Sequence, residues 1–152
     1  MKKPLFWVVT LLLCIGFGRQ VYGQSAASYR KSILRYTNQF RASHGLAPVQ
    51  SASVPQDLAQ KHSSDMARRR VGFGHSGFQN RTDRLRRAYG RGIATGENVA
   101  YGNISAKEVV DIWINSRPHR KNLLGNFNKV GIGIAEDSQG ILYFTQLFVR
   151  TD

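Results

Sequence analysis

The chain has 152 residues, enough for one domain, and a single cysteine, Cys14, which excludes a disulfide-stapled fold. A formal charge of +13 favours anionic partners such as lipopolysaccharide, anionic lipid, acidic glycans or nucleic acid. Charge alone leaves open the plainer reading of a basic domain whose charges are simply solvated.

Lys2 and Lys3 precede an uncharged apolar stretch from Pro4 to Gly18, and Val21, Tyr22 and Gly23 offer small or modest side chains before Gln24. This is the layout of a cleavable signal peptide over residues 1–23, followed by one domain over residues 24–152. The apolar run is short for a membrane span, which needs about 20 residues. A retained N-terminal anchor and a lipoprotein signal at Cys14 are the alternatives. Losing Lys2, Lys3 and Arg19 with the leader brings the formal charge from +13 to +10 and leaves no cysteine in the mature chain. The roughly 130 residues that remain can supply a single sufficient core. The expected location is extracytoplasmic, secreted or periplasmic.

A short polar leader over residues 24–28 gives way to a helical pattern, with Tyr29, Ile33, Tyr36 and Phe40 on one face. Gly45 is placed to end this helix, with Pro48 beyond it. Ser53 reads as the cap of a second helix, with Gln56 three residues on, and Leu58, His62 and Met66 form its inner stripe. Residues 72–82 are loop-like, with Gly72, Gly74 and Gly77. A short third helix is expected from about Asp83 to Tyr89, with Leu85 facing inward. Gly90 to Gly102, with four glycines, reads as irregular. Ser105 and Glu108 then form a capping box, Ile104 and Val109 a staple, and Val109, Val110 and Trp113 an apolar face. Pro118 should end that helix at or before Arg117.

The period changes in the last quarter. Ile132 and Ile134 alternate with Gly131 and Gly133, and a second alternating run covers Ile141 to Phe148. Asp137 to Gly140 between them is turn chemistry, so the pair reads as a hairpin. Both faces of the last strand are largely apolar, which calls for helices on both sides of a sheet. The class is α+β.

Seven segments carry a resemblance when taken in order: NQFRASHGLAP (38–48), LAQKHSSDMA (58–67), Gly74-His75, GENVA (96–100), WINSRPHRKNLL (113–124), VGIGIA (130–135) and YFTQLF (143–148). No single piece is specific, but as a set they resemble the CAP family of cysteine-rich secretory proteins, antigen 5 and plant pathogenesis-related proteins, in its short bacterial form. The resemblance implies a three-layer α-β-α sandwich, secretion, and a cleft often lined by two histidines and two acids. In several members that cleft holds zinc or another divalent cation. Carried over residue by residue, the histidines fall on His75 and His119 and the first acid on Glu97. The second acid falls on Ser116, which has no carboxylate, so the set shrinks to a His-Glu-His triad.

Two imidazoles and a carboxylate with an open position for water is a pattern of catalytic zinc sites. The two 22-residue intervals from His75 to Glu97 and from Glu97 to His119 match no local zinc signature. Glu97 could serve as ligand or as base but not comfortably as both. The alternative for Glu97 is a carboxylate that satisfies backbone N–H groups in a glycine-flanked loop. For His119 the alternative is a loop-tethering role beside Arg117, Arg120 and Lys121, cations that would favour its neutral form. His62 reads as a buried, hydrogen-bonded histidine, and His44 as a cation near a helix end.

Gly72 to Gly77 matches GxGxxG, but a helix precedes it and polar loop residues follow, so the dinucleotide reading fails. Asn80 and Asn103 open glycosylation sequons that matter only in a eukaryotic secretory route. Two arginine-rich clusters, residues 68–91 and 117–121, flank the cleft in sequence and could draw an anionic ligand there. The aromatics fall mostly on apolar stripes, which argues against a dedicated nucleic-acid role. The leading expectation is a binding module, rather than an enzyme, for a cell-envelope, lipid or anionic glycan ligand, with a cleft that could take zinc or another divalent cation. A metal-dependent hydrolase using the triad, and a basic envelope-associating protein without cleft chemistry, are the alternatives.

Overall fold

The computed structural model describes residues 25–151. The signal segment over residues 1–23 and Cys14 lie outside the described residues. In chain order the elements are α1 (Ala26–Ala42), β1 (Gln50–Ser51), α2 (Ser53–Ala67), α3 (Phe78–Tyr89), β2 (Ala94–Gly102), α4 (Ala106–Asn115), α5 (Arg117–Leu123), β3 (Lys129–Glu136) and β4 (Leu142–Arg150). The four strands form one sheet in the order β1-β3-β4-β2, with β1 parallel to β3 and the other pairings antiparallel.

The apolar alternation along β4 divides the core in two. Phe144 and Phe148 join Val130, Ile132 and Ile134 on one face, under Ile33 of α1, Val109, Val110 and Trp113 of α4, and Leu123 of α5. Leu147 and Val149 point the other way and pack on Leu58 and Ala59 of α2 and Leu85 of α3. A strand buried on both faces needs helices on both sides, and here it has them. The architecture is the α-β-α sandwich expected from the sequence.

Local chemistry accounts for most of the elements. Ser105 accepts from the Glu108 N–H at 3.3 Å while the Glu108 carboxylate accepts from the Ser105 N–H at 2.7 Å, a complete capping box at the start of α4. The β3–β4 turn is held by Asp137, whose carboxylate accepts from the N–H groups of Gln139 and Ile141. Pro118 separates α4 from α5, because a proline is tolerated in the first turn of a helix but not in its interior.

Four expectations need correction. α3 begins at Phe78, five residues earlier than expected. The N-cap of α2 is Ala52 and makes no side-chain cap; Gln56 is engaged elsewhere. The glycine-rich stretch ending at Gly102 is not irregular but contains β2, the longest partner of β4. His119 lies on α5 and not in a loop.

Side chains bond to backbone groups along both edges of the sheet. Beyond the short β1, the outward N–H and C=O of Ile132 bond to the Gln56 amide at 3.1 and 2.6 Å, and those of Ile134 to the Gln60 amide at 3.1 and 2.7 Å. On β2, the carbonyl of Glu97 accepts from Asn122 Nδ2 at 2.9 Å and that of Val99 from Trp113 Nε1 at 3.2 Å. Arg41 is buried and donates to four carbonyls, those of Ala47, Leu123, Gly125 and Phe127, which ties α1 to the segment leaving α5.

Candidate functional site

Glu97 lies in the middle of β2, and strand alternation turns its side chain toward the α2–α3 layer. The side chain is only 1% exposed. The Arg81 guanidinium of α3 grips it in a fork, Nε to Oε2 and Nη2 to Oε1, both at 2.7 Å. His75 Nδ1 donates to Oε1 at 3.0 Å, and His62 Nε2 lies 3.9 Å from the same oxygen. The expected backbone N–H partners are replaced by a guanidinium and an imidazole.

The loop that presents His75 is pinned from beneath. His62 Nε2 donates to the Gly74 carbonyl at 2.8 Å, and Arg81 Nη1 donates to that of Ser76 at 2.9 Å. The reading of His62 as a buried, hydrogen-bonded histidine holds, and burial lowers its pKa. With a carboxylate as its partner, His75 Nδ1 carries the proton, which leaves Nε2 of a half-exposed ring free to accept.

His119 approaches from the other layer, on α5. Its carbonyl accepts from Asn98 Nδ2 at 3.3 Å. Asn98 belongs to a buried polar chain running from Thr37 through Gln146 to Asn122. This chain fixes α5 against β2. His119 Nδ1 is buried with no hydrogen-bond partner among the described residues. Burial, and then the charge of His75, lower its pKa, so the neutral ring is favoured. The direction matches the sequence expectation, but the causes are burial and His75 rather than the neighbouring arginines and Lys121. His75 is near enough for its charge to act on His119, with Glu97 bonded behind His75.

Gly96 makes this approach possible. A Cβ at that position would lie 2.9 Å from Asn122 Oδ1 and 3.0 Å from the Phe127 ring. Ser116, where the family's second acid would fall, joins α4 to α5. His44 caps its own helix, with Nδ1 2.9 Å from the Phe40 carbonyl.

Sequence reasoning missed Arg81, which it counted only within a basic cluster. One signal was available: Arg81 lies four residues before Leu85, on the inward stripe of α3, and a cation there needs a buried partner. Among the described residues, no group of three or more His, Cys, Asp or Glu is arranged to hold a metal ion. Both Glu97 oxygens are engaged, so the donors available to a cation are the imidazole nitrogens of His75 and His119. Glu97 stands behind His75 as a carboxylate that orients the ring.

Comparison with known proteins agrees with this architecture. The cysteine-rich secretory protein (CAP) family model matches residues 34–148. Protein YkwD of Bacillus subtilis is 32% identical over 127 residues, 82% of this chain and 48% of the relative. Membrane protein YlbC of the same organism is 32% identical over 123 residues, 79% of this chain and 34% of the relative. The chain thus spans half or less of these relatives. An extracellular protein containing an SCP domain from Bacillus anthracis superposes with a TM-score of 0.67 at 26% identity, over 86% of this chain and 45% of that one. An outer surface protein of Borrelia burgdorferi shares the fold, with a TM-score of 0.71 at 19% identity over 86% of this chain and 98% of that one. The matched residues and the two-sided sandwich agree, and the chain belongs to the cysteine-rich secretory protein family.

Proposed function

We propose that this protein is an extracytoplasmic binding module for a cell-envelope or lipid ligand, whose cleft can take zinc or another divalent cation through His75 and His119. The observation that carries the reading is the state of Glu97. A carboxylate that accepts two bonds from Arg81 and one from His75, with its side chain only 1% exposed, is shut away from the water it would have to deprotonate. Hydrolysis at a metal usually needs such a base, and Ser116 supplies no second acid. A bound cation would act here as a Lewis acid that fixes an anionic group of the ligand. In this reading Glu97 holds His75 in the tautomer that leaves Nε2 free, Arg81 fixes Glu97 in place with its two-point grip, and His119 supplies the second nitrogen. The extracytoplasmic location is supported by the leader-like residues 1–23 and by the extracellular SCP-domain relative. Among the described residues no helix is long and apolar enough to cross a membrane.

Zinc titration by calorimetry tests the cleft. The purified protein should bind one zinc, and the His75→Ala/His119→Ala variant, still folded by circular dichroism, should bind none. Absence of zinc binding in the parent would remove the metal from the proposal. Turnover of phosphodiester or ester substrates that depends on both histidines would replace it with the hydrolase reading.

A further inference from the structure

One end of the sandwich carries aromatic rings that the fold leaves open. Tyr101 of β2 and Tyr143 of β4 stand directly opposite one another in the sheet, with ring centroids 5.8 Å apart. Phe73, from the loop after α2, meets Tyr101 nearly edge-on at 4.7 Å. Phe73 and Tyr101 are 51% and 57% exposed, and among the described residues the other large apolar side chain so exposed is Ile112 on α4. Single exposed apolar residues are ordinary, but rings held against one another at the surface mark an interaction face. Tyr101 lies four residues beyond Glu97, about 13 Å along the strand, so this face is separate from the buried carboxylate and its partners.

Two further features name the partner. The first is charge. α2 ends at Ala67, and the loop that carries Phe73 opens with Arg68, Arg69 and Arg70, all exposed. Arg70 is paired with Asp65, but Arg68 and Arg69 have no carboxylate partner among the described residues. The acids at this end, Glu108, Glu136 and Asp137, belong to the start of α4 and the β3–β4 turn and not to the loop of Phe73. The second is the path of the chain. Ser25 caps α1, and Tyr29 Oη donates at 3.0 Å to the carbonyl of Ile104, in the turn that follows β2. The chain therefore enters the domain at the end that bears Tyr101. Six residues separate Ser25 from Gly18, the last residue of the uncharged apolar run, a reach of about 25 Å at most. While that leader is attached, a bilayer that takes it up is met by this end of the domain.

We infer that this end docks on a bilayer with anionic headgroups. Phe73 and Tyr101 enter the boundary between headgroups and acyl chains, and Arg68 and Arg69 meet the lipid charges. The inference rests on the envelope and lipid reading above for the class of partner, and it uses no residue of the histidine cleft.

The test places a fluorescent reporter on this face. Phe73→Trp in the full chain is titrated with vesicles of brominated phosphatidylglycerol, and its emission is read as the difference from the parent, which removes Trp7 and Trp113. Asn126→Trp, an exposed position beside the opposite end of the sheet, is the control. Emission at position 73 should shift to the blue and be quenched, emission at position 126 should do neither, and phosphatidylcholine vesicles should give no response at either. Arg68→Gln/Arg69→Gln in the reporter background should raise the lipid concentration for half-maximal response about tenfold, whereas Lys129→Gln/Arg150→Gln, which removes the same charge from the other end of the sheet, should change it by less than about twofold. Equal quenching at positions 73 and 126, or equal loss in the two double variants, overturns the inference. Silence at position 73 overturns it too, and if the parent still sediments with the vesicles the lipid reading stands without it. A response that grows with protein concentration in the absence of lipid assigns the face to a second copy of the chain and equally overturns it.

Discussion

Arg81 and Glu97 meet largely out of reach of solvent, with side chains 10% and 1% exposed, so each is the other's buried counter-charge. Removing one partner of such a pair leaves an unanswered ion in a low dielectric, which costs about 3–5 kcal/mol. Arg81→Met should therefore lower unfolding stability in urea by about that amount, and Arg81→Lys should recover only part of it, because an ammonium cannot reproduce the fork. Arg81→Met/Glu97→Gln should recover most of the loss, and a simple sum of the single effects would show the two residues to be uncoupled. The histidines give this region a pH response. Burial holds His62 and His119 below the ordinary histidine value of 6.5. The unfolded chain then binds more protons than the folded one once the pH falls below about 6.5, so stability is full above that value and declines as the pH drops toward the folded values. Thermal melts between pH 7.5 and 5 should show this decline, and it should be shallower in a His62→Gln/His119→Gln variant. The histidines and Glu97 were legible through the family resemblance. Arg81 was not, because its partner is 16 residues away and is brought close only by the fold.

At the scale of elements, the fit of α2 to β3 combines two spacings. Four residues of helix advance about 6 Å and two residues of strand about 6.6 Å, so Gln56 and Gln60 reach Ile132 and Ile134 in register. The helix can come this near only because the strand residues between them lack side chains. A Cβ at Gly131 would lie 2.0 Å from the Pro55 carbonyl carbon, and one at Gly133 would lie 2.1 Å from the Ala59 oxygen. Backbone cannot yield as a flexible side chain can. Each Gly→Ala change should cost about 3 kcal/mol or prevent folding, as read from denaturant midpoints. The alternation of Ile132 and Ile134 with glycine was visible in the sequence as a strand, but the helix lying on those glycines was not. The same ambiguity hid β2. Gly96 is required by Asn122 and Phe127, which lie far along the chain, and in sequence it looks the same as a glycine required by a turn. The capping box and the Asp137 turn were legible because all their partners lie within four residues.

For the molecule as a whole, the two-sided core follows from the double apolar alternation of β4, and that much could be read directly. The distribution of charge could not, because sequence order grouped Arg81 with its exposed neighbours while the fold buried it. With a formal charge of +13, association with an anionic surface should be salt-sensitive. Co-sedimentation with anionic vesicles should fall sharply between about 0.05 and 0.5 M salt, as the screening length shrinks from over 10 Å to below 5 Å. Retention at high salt would point to burial of apolar groups in the bilayer instead. The closure of the sheet by Gln56 and Gln60 on one side and by Asn122 and Trp113 on the other has a consequence for concentrated solutions. A sheet with unanswered rims can template a neighbouring chain, and these rims are answered by the protein's own side chains. Self-association through strand addition is thereby opposed at these residues. Gln56→Leu/Gln60→Leu should be the variant in which slow, concentration-dependent growth of light scattering begins.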